Sequence, residues 1–218
     1  MGLFSILTSM KYLLLAPHTD DIELGCGGTV LKLLEEGNEI HWVVFSTAED
    51  SVPPGMPLDT LKKEFLSVAK SLGLSETQYE ICSYPVRNFD LHRQEILEKL
   101  VSIRREIKPD VVIGPSLHDV HQDHQVIANE MVRAFKTSAS ILCYELPWNH
   151  TEFENQCFSK LSDKLIEKKI ALLNNYSSQV SLNRSYFSAE FIKSWAKMRG
   201  IQCNTEYAES FEVVRWIL

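Results

Sequence analysis

Two short stretches of the chain concentrate residues that can hold and use a metal ion. The first is Pro17-His18-Thr19-Asp20-Asp21-Ile22-Glu23. It follows the apolar run Tyr12-Leu13-Leu14-Leu15-Ala16 and sets four ionisable side chains within six positions. The second, His118-Asp119-Val120-His121-Gln122-Asp123-His124, follows Val111-Val112-Ile113-Gly114 and sets three histidines and two aspartates within seven positions. Imidazole with carboxylate is a hard-to-borderline donor set suited to Zn²⁺ or Fe²⁺, and a catalytic zinc keeps three protein ligands and a fourth position for water. His18, Asp21 and His124 would supply the three. Asp20 is then left as a general base on the activated water. His121, a helical turn or less from His124, can stabilise a developing oxyanion as a cation or protonate a leaving amine. This is the chemistry of metal-assisted amide or ester hydrolysis. A second reading pairs His18-x-Asp20 with His124 as the two-His-one-carboxylate face of a non-haem Fe(II) oxygenase.

The two stretches lie 106 residues apart at His18 and His124, so the fold must bring them together. Short apolar runs at residues 12–16, 40–46, 79–84, 111–114 and 141–146 alternate with segments of helical period at 29–36, 59–72, 91–107 and 124–135. Gly37, Gly73 and Pro109 mark helix ends, and Asp123 reads as an N-cap. Residues 162–175 and 188–199 also read as helices, and 211–217 as a last strand. The alternation predicts an α/β fold with a mostly parallel central sheet and additional C-terminal helices and strand, not the jelly roll common among the oxygenases. In the usual doubly wound order, strands one and four are neighbours, and ligands bind beyond their carboxyl ends. Both stretches fall there. The proline-bearing loop 47–57 reads as a binding loop, and it and the chain after Leu146 as walls of a pocket.

The 218 residues are 44% apolar and 23% charged, an ordinary globular composition. No repeat or linker divides them, so one domain over 1–218 is expected. A net charge of −7 leaves no basic stripe for a nucleic acid or an anionic bilayer. Five scattered cysteines without a CxxC pair argue against a disulfide framework and for a cytoplasmic setting. Residues 1–17 lack the features of a targeting segment, and Ile6 stands where a myristoylation motif at Gly2 wants Ser or Thr. His41, His92 and His150 lack a neighbouring cluster and read as structural or exposed. Glu23-Leu24-Gly25-Cys26-Gly27-Gly28-Thr29 imitates a methyltransferase nucleotide loop, but Thr19-Asp20-Asp21 separate it from the strand. Its glycines are assigned to close packing.

Residues 18–29, His18-Thr19-Asp20-Asp21-Ile22-Glu23-Leu24-Gly25-Cys26-Gly27-Gly28-Thr29, resemble the AHPDDxExGxGGT signature of the LmbE-like (PIG-L) de-N-acetylases. Pro109-Asp110-Val111-Val112 leading to Asp119-Val120-His121-Gln122-Asp123-His124 resembles that family's PDxV and DxHxDH signature, with weaker similarity at Tyr207-Ala208-Glu209-Ser210-Phe211. The resemblance implies a Rossmann-like three-layer fold and zinc-dependent removal of acetyl from an N-acetylglucosamine-type conjugate. It places zinc on His18, Asp21 and His124, the base at Asp20 and the oxyanion or acid role at His121, with Asp123 orienting the His121 imidazole. Relatives often associate, which makes a homo-oligomer an expectation too. Thr19 departs from the family's proline. Leu61-Lys62-Lys63-Glu64 lacks the arginine that members often carry before the matching glutamate, and a lysine cannot reproduce its bidentate fork. A non-catalytic carbohydrate-binding domain is the third reading, though sugar binding alone requires neither Asp20 nor a full ligand set. Neither the sugar's aglycone nor its contact residues are legible.

Overall fold

The computed structural model describes residues 9–218; the readings at Gly2 and Ile6 lie outside them. Seven strands, β1 (Lys11–Ala16), β2 (Glu39–Val44), β3 (Tyr79–Ile81), β4 (Val111–Pro115), β5 (Ser140–Tyr144), β6 (Cys157–Leu161) and β7 (Tyr207–Arg215), form one sheet in the order β3-β2-β1-β4-β5-β7-β6. The first five are parallel, and β7 runs antiparallel to both β5 and β6. The expected neighbours β1 and β4 pair directly, with Leu14 opposite Ile113.

Parallel strands must be covered on both faces, and the sequence of β1 shows how. Leu14 and Ala16 enter a core with α1 (Asp21–Glu35), α2 (Thr60–Ser71), α5 (Asp163–Leu173) and α7 (Ala189–Gln202). Leu13 and Leu15 enter the opposite core with α3 (Arg93–Ile107) and α4 (Gln122–Phe135). The short α6 (Ser177–Val180) completes the α-helices of the described residues, which also hold three short 3₁₀ helices. None of these helices is long and apolar enough to cross a membrane.

Several elements depart from expectation, among them the last strand, which begins at Tyr207 rather than residue 211, and the short α6, which has no counterpart in the sequence reading. Helix α1 begins at Asp21, not residue 29, so the metal-loop residues flow straight into it; it kinks at Cys26, whose φ/ψ of −147/27 is non-helical. Beyond the kink, glycine lets the helix pack closely on β6 and β7, because a Cβ on Gly28 would stand 2.5 Å from Leu161 Cδ1 and 3.1 Å from Glu209 Oε1. The N-cap of α4 is His121 instead of Asp123. Strand β6 is absent from the sequence reading, because Cys157-Phe158-Ser159-Lys160-Leu161 lacks strict apolar alternation and sits half-exposed at the sheet edge, where none is required.

Candidate metal centre

Because β1 and β4 are adjacent and parallel, the turns leaving Ala16 and Pro115 emerge side by side. Asp21 opens α1, while His124 sits in the first turn of α4. Three atoms from these two loops converge: His18 Nδ1 lies 3.4 Å from Asp21 Oδ2, His124 Nε2 lies 3.3 Å from the same oxygen, and the two ring nitrogens are 3.3 Å apart. Four ligands placed tetrahedrally at the ~2.0–2.1 Å bond length of zinc to nitrogen or oxygen stand about 3.3–3.4 Å from one another. The triangle fits one face of such a tetrahedron. A ring nitrogen of His121 also comes within 4.8 Å of ring nitrogens of His18 and His124. The oxygenase pairing of His18 with Asp20 is not formed, since the carboxylate between the two rings is that of Asp21.

Each of the two imidazoles is held from behind by a buried carboxylate. His18 Nε2 lies 2.9 Å from Asp123 Oδ2, which also accepts the Arg87 backbone N–H at 2.7 Å. His124 Nδ1 lies 2.7 Å from Asp119 Oδ2, and Asp119 Oδ1 accepts the His121 N–H at 2.8 Å. Such outer carboxylates fix the tautomer and ring orientation of a metal-binding histidine. The role expected of Asp123 toward His121 is therefore corrected. Its carboxylate serves His18, and only its backbone N–H reaches His121, donating to Nδ1 at 3.2 Å. The reason is geometric: one residue inside α4, the Asp123 side chain turns away from the cap and toward the β1 loop.

The electrostatics of the cluster separate its members. Burial pushes the Asp20 carboxyl up to about 6, helped by the charge of Asp21. Burial also disfavours the Asp21 anion, but His124 and His18 outweigh it and hold that carboxyl well below the usual range. For His124, Asp21 and Asp119 overcome burial and raise it to about 10. His121 goes the other way, pushed down to about 4 by burial and by His124 and His18. Near neutral pH it is an uncharged ring rather than the expected cation, and with Nδ1 already accepting, its proton sits on Nε2.

These residues line a cavity of about 260 Å³. Ala48 and Ser51 of the expected binding loop form part of its wall. Trp148, Asn149, Gln179, Arg184 and Tyr186, all from the chain after β5, form another. Trp148 and Tyr186 stack with ring centroids 4.3 Å apart and planes 14° apart. Lys62 and Lys63 are exposed and do not line the cavity, while Glu64 accepts hydrogen bonds from Ser177 and Ser178. The cation in the wall is Arg184, which carried no sequence signal. His118 is exposed outside the cluster. His150, expected to be structural or exposed, has a buried side chain, with Nε2 3.8 Å from Asp119 Oδ2.

A family profile described as "PIG-L: GlcNAc-PI de-N-acetylase" matches residues 13–135, more than half of the chain. An Escherichia coli K12 protein named "Uncharacterized deacetylase YaiS" is 28% identical over 171 residues, which cover 76% of this chain and 90% of that protein. Among solved structures, the N,N'-diacetylchitobiose deacetylase of Pyrococcus horikoshii superposes with a TM-score of 0.78 at 18% identity, covering 95% of this chain and 84% of that one. The 4-carboxy-2-hydroxymuconate hydratase GalB of Pseudomonas putida KT2440 superposes with a TM-score of 0.74 at 20% identity, covering 96% and 98%. A deacetylase and a hydratase thus share the architecture, so the fold by itself does not name a reaction.

Proposed function

The chain belongs to the PIG-L family of de-N-acetylases, and from that premise we propose that it is a zinc-dependent hydrolase that removes acetyl from an N-acetylglucosamine-type conjugate. The observation that carries this reading is the triangle of His18 Nδ1, Asp21 Oδ2 and His124 Nε2, whose 3.3–3.4 Å edges suit a single small divalent ion. A zinc ion held there supplies Lewis acidity, acidifying a water molecule and polarising a carbonyl oxygen.

The chain's own residues do the rest. Asp20, with its carboxyl raised toward neutrality, takes the proton of the attacking water. The uncharged His121 donates its Nε2–H to the oxygen that gains charge as the acetamide carbonyl becomes tetrahedral. When the C–N bond breaks, the proton gathered by Asp20 is returned to the departing nitrogen, so water and amide become acetic acid and a free amine, which leave as acetate and ammonium near neutral pH. Asp119 and Asp123 hold the rings of His124 and His18 and are positioning residues. The Trp148–Tyr186 stack offers an apolar wall for a sugar ring. A chelator is expected to abolish acetate release from N-acetylglucosaminides, and one equivalent of zinc to restore it. Undiminished release from protein stripped of metal contradicts the reading.

A further inference from the structure

The side chains around the proposed zinc position are each held in place, with one exception. The His18 ring is backed by Asp123, the His124 ring by Asp119, and Asp21 Oδ2 accepts the His18 backbone N–H at 2.7 Å. The Asp20 carboxylate, the proposed base, takes no hydrogen bond from another residue and has no ion pair within 4.0 Å among the described residues. It stands at the N-cap of α1, yet its side chain caps nothing. Its aim is therefore set by the backbone that carries it.

That backbone has one anchor from a distant side chain among the described residues. The carbonyls of Ala16 and Pro17 accept the N–H groups of Phe45 and Ser46, and the Asp20 carbonyl accepts that of Leu24 inside the helix start. Between them, the Thr19 carbonyl accepts the hydroxyl of Tyr176, 157 residues away. A carbonyl can only accept, so the single phenolic hydrogen belongs to Thr19. The Tyr176 oxygen also stands 2.6 Å from Glu23 Oε1, and burial pushes that carboxyl well above its ordinary range, so it brings its own hydrogen to the contact. Thr19, Glu23 and Tyr176 are all buried. Tyr176 is itself fixed, since its N–H donates to the Leu173 carbonyl at 3.0 Å and its carbonyl accepts from Gln179 and Val180 at 3.0 and 2.9 Å. Gln179 lines the cavity, so one residue ties the pocket wall to the peptide before the base. Because that peptide is planar, holding the Thr19 oxygen fixes the plane from which Asp20 projects.

We infer that Tyr176 is a positioning residue for the base: by holding the Thr19–Asp20 peptide it aims the Asp20 carboxylate at the attacking water. This rests on the hydrolase reading of the same cavity. The test measures acetate release from methyl N-acetylglucosaminide, zinc affinity by competition with a chelator, and urea midpoints. The proteins are the wild type, Tyr176→Phe, Glu23→Leu and the double variant Tyr176→Phe/Glu23→Leu. Tyr176→Phe should lower kcat about ten- to a hundredfold, with KM within about twofold and zinc affinity within about threefold, since the ligands keep their own supports. Glu23→Leu leaves the Thr19 bond in place and should keep kcat within about threefold. The double variant removes the hydroxyl and the buried acid together, which spares the fold the unpaired carboxyl left by Tyr176→Phe, and should repeat the kcat loss. In an Asp20→Asn background, Tyr176→Phe should change kcat by less than about twofold, because no base is left to aim.

Undiminished kcat in Tyr176→Phe or in the double variant overturns the inference. So does a zinc affinity that falls as far as kcat, a kcat loss that tracks the urea midpoints across the three variants, or an equal loss in the Asp20→Asn background. Each of these leaves the hydrolase reading intact. Acetate release that is absent from the wild type, or undiminished by Asp20→Asn, contradicts that reading itself and takes the inference with it.

Discussion

Two buried regions of this chain use the same chemical vocabulary, and they differ in how its donors and acceptors are paired. Beneath α1, Glu209 accepts hydrogen bonds from the Gly28 N–H at 2.9 Å, the Thr29 N–H at 2.6 Å, the Thr29 hydroxyl at 2.6 Å and Lys169 Nζ at 2.7 Å. Lys169 spends another proton on the Leu24 carbonyl at 2.7 Å. Donors and acceptors balance, and the carboxylate restarts the helix after its kink at Cys26, where helix N–H groups favour an anion. At the metal loop, by contrast, the atoms that converge are ones that can ligate a metal: two imidazole nitrogens and a carboxylate oxygen within 3.4 Å of one another. The two rings are backed by Asp123 and Asp119, while Asp21 Oδ2, between them, accepts the His18 backbone N–H at 2.7 Å. Buried charge whose donors and acceptors are all paired is structural, whereas metal-binding atoms from two loops converging on one point fit the proposed zinc site.

If that contrast holds, the two regions should fail differently. Glu209→Ala leaves Lys169 buried without its partner and should cost about 3–5 kcal/mol in urea unfolding. Asp20→Asn should lower kcat about a hundred- to a thousandfold with the metal content of the protein unchanged, measured by acetate release alongside elemental analysis. A loss of metal in that variant would move Asp20 into the ligand set. Asp119→Asn and Asp123→Asn should each weaken zinc about 10–100-fold in competition with a chelator, since each frees one ring to rotate. Replacing Lys62 and Lys63 together with alanine should leave KM within about twofold, both being exposed surface residues away from the cavity. A larger change would restore a substrate role to α2.

The sequence made the strand-end clusters legible because type and spacing are local properties, and the adjacency of β1 and β4 followed from winding rules. What it hid depends on distance or on phase. Glu209 meets Gly28 across 181 residues, so its role in seating the glycine motif cannot be read from either segment alone. Whether Asp119 or Asp123 faces a given imidazole depends on where α4 starts, and moving the cap from Asp123 to His121 turned the Asp123 carboxylate to His18. Tyr186 lies in a single 3₁₀ turn between α6 and α7 and Arg184 caps it, a stretch too short for periodicity to mark, and β6 is a half-exposed edge strand without apolar alternation.

The most direct measurement is anomalous diffraction at the zinc edge from crystals of the zinc-loaded protein. The account predicts one peak at about 2.0–2.2 Å from each of His18 Nδ1, Asp21 Oδ2 and His124 Nε2, with the carboxylate of Asp20 outside the ligand set. A peak held by another trio, or none within reach of both histidines, would contradict it.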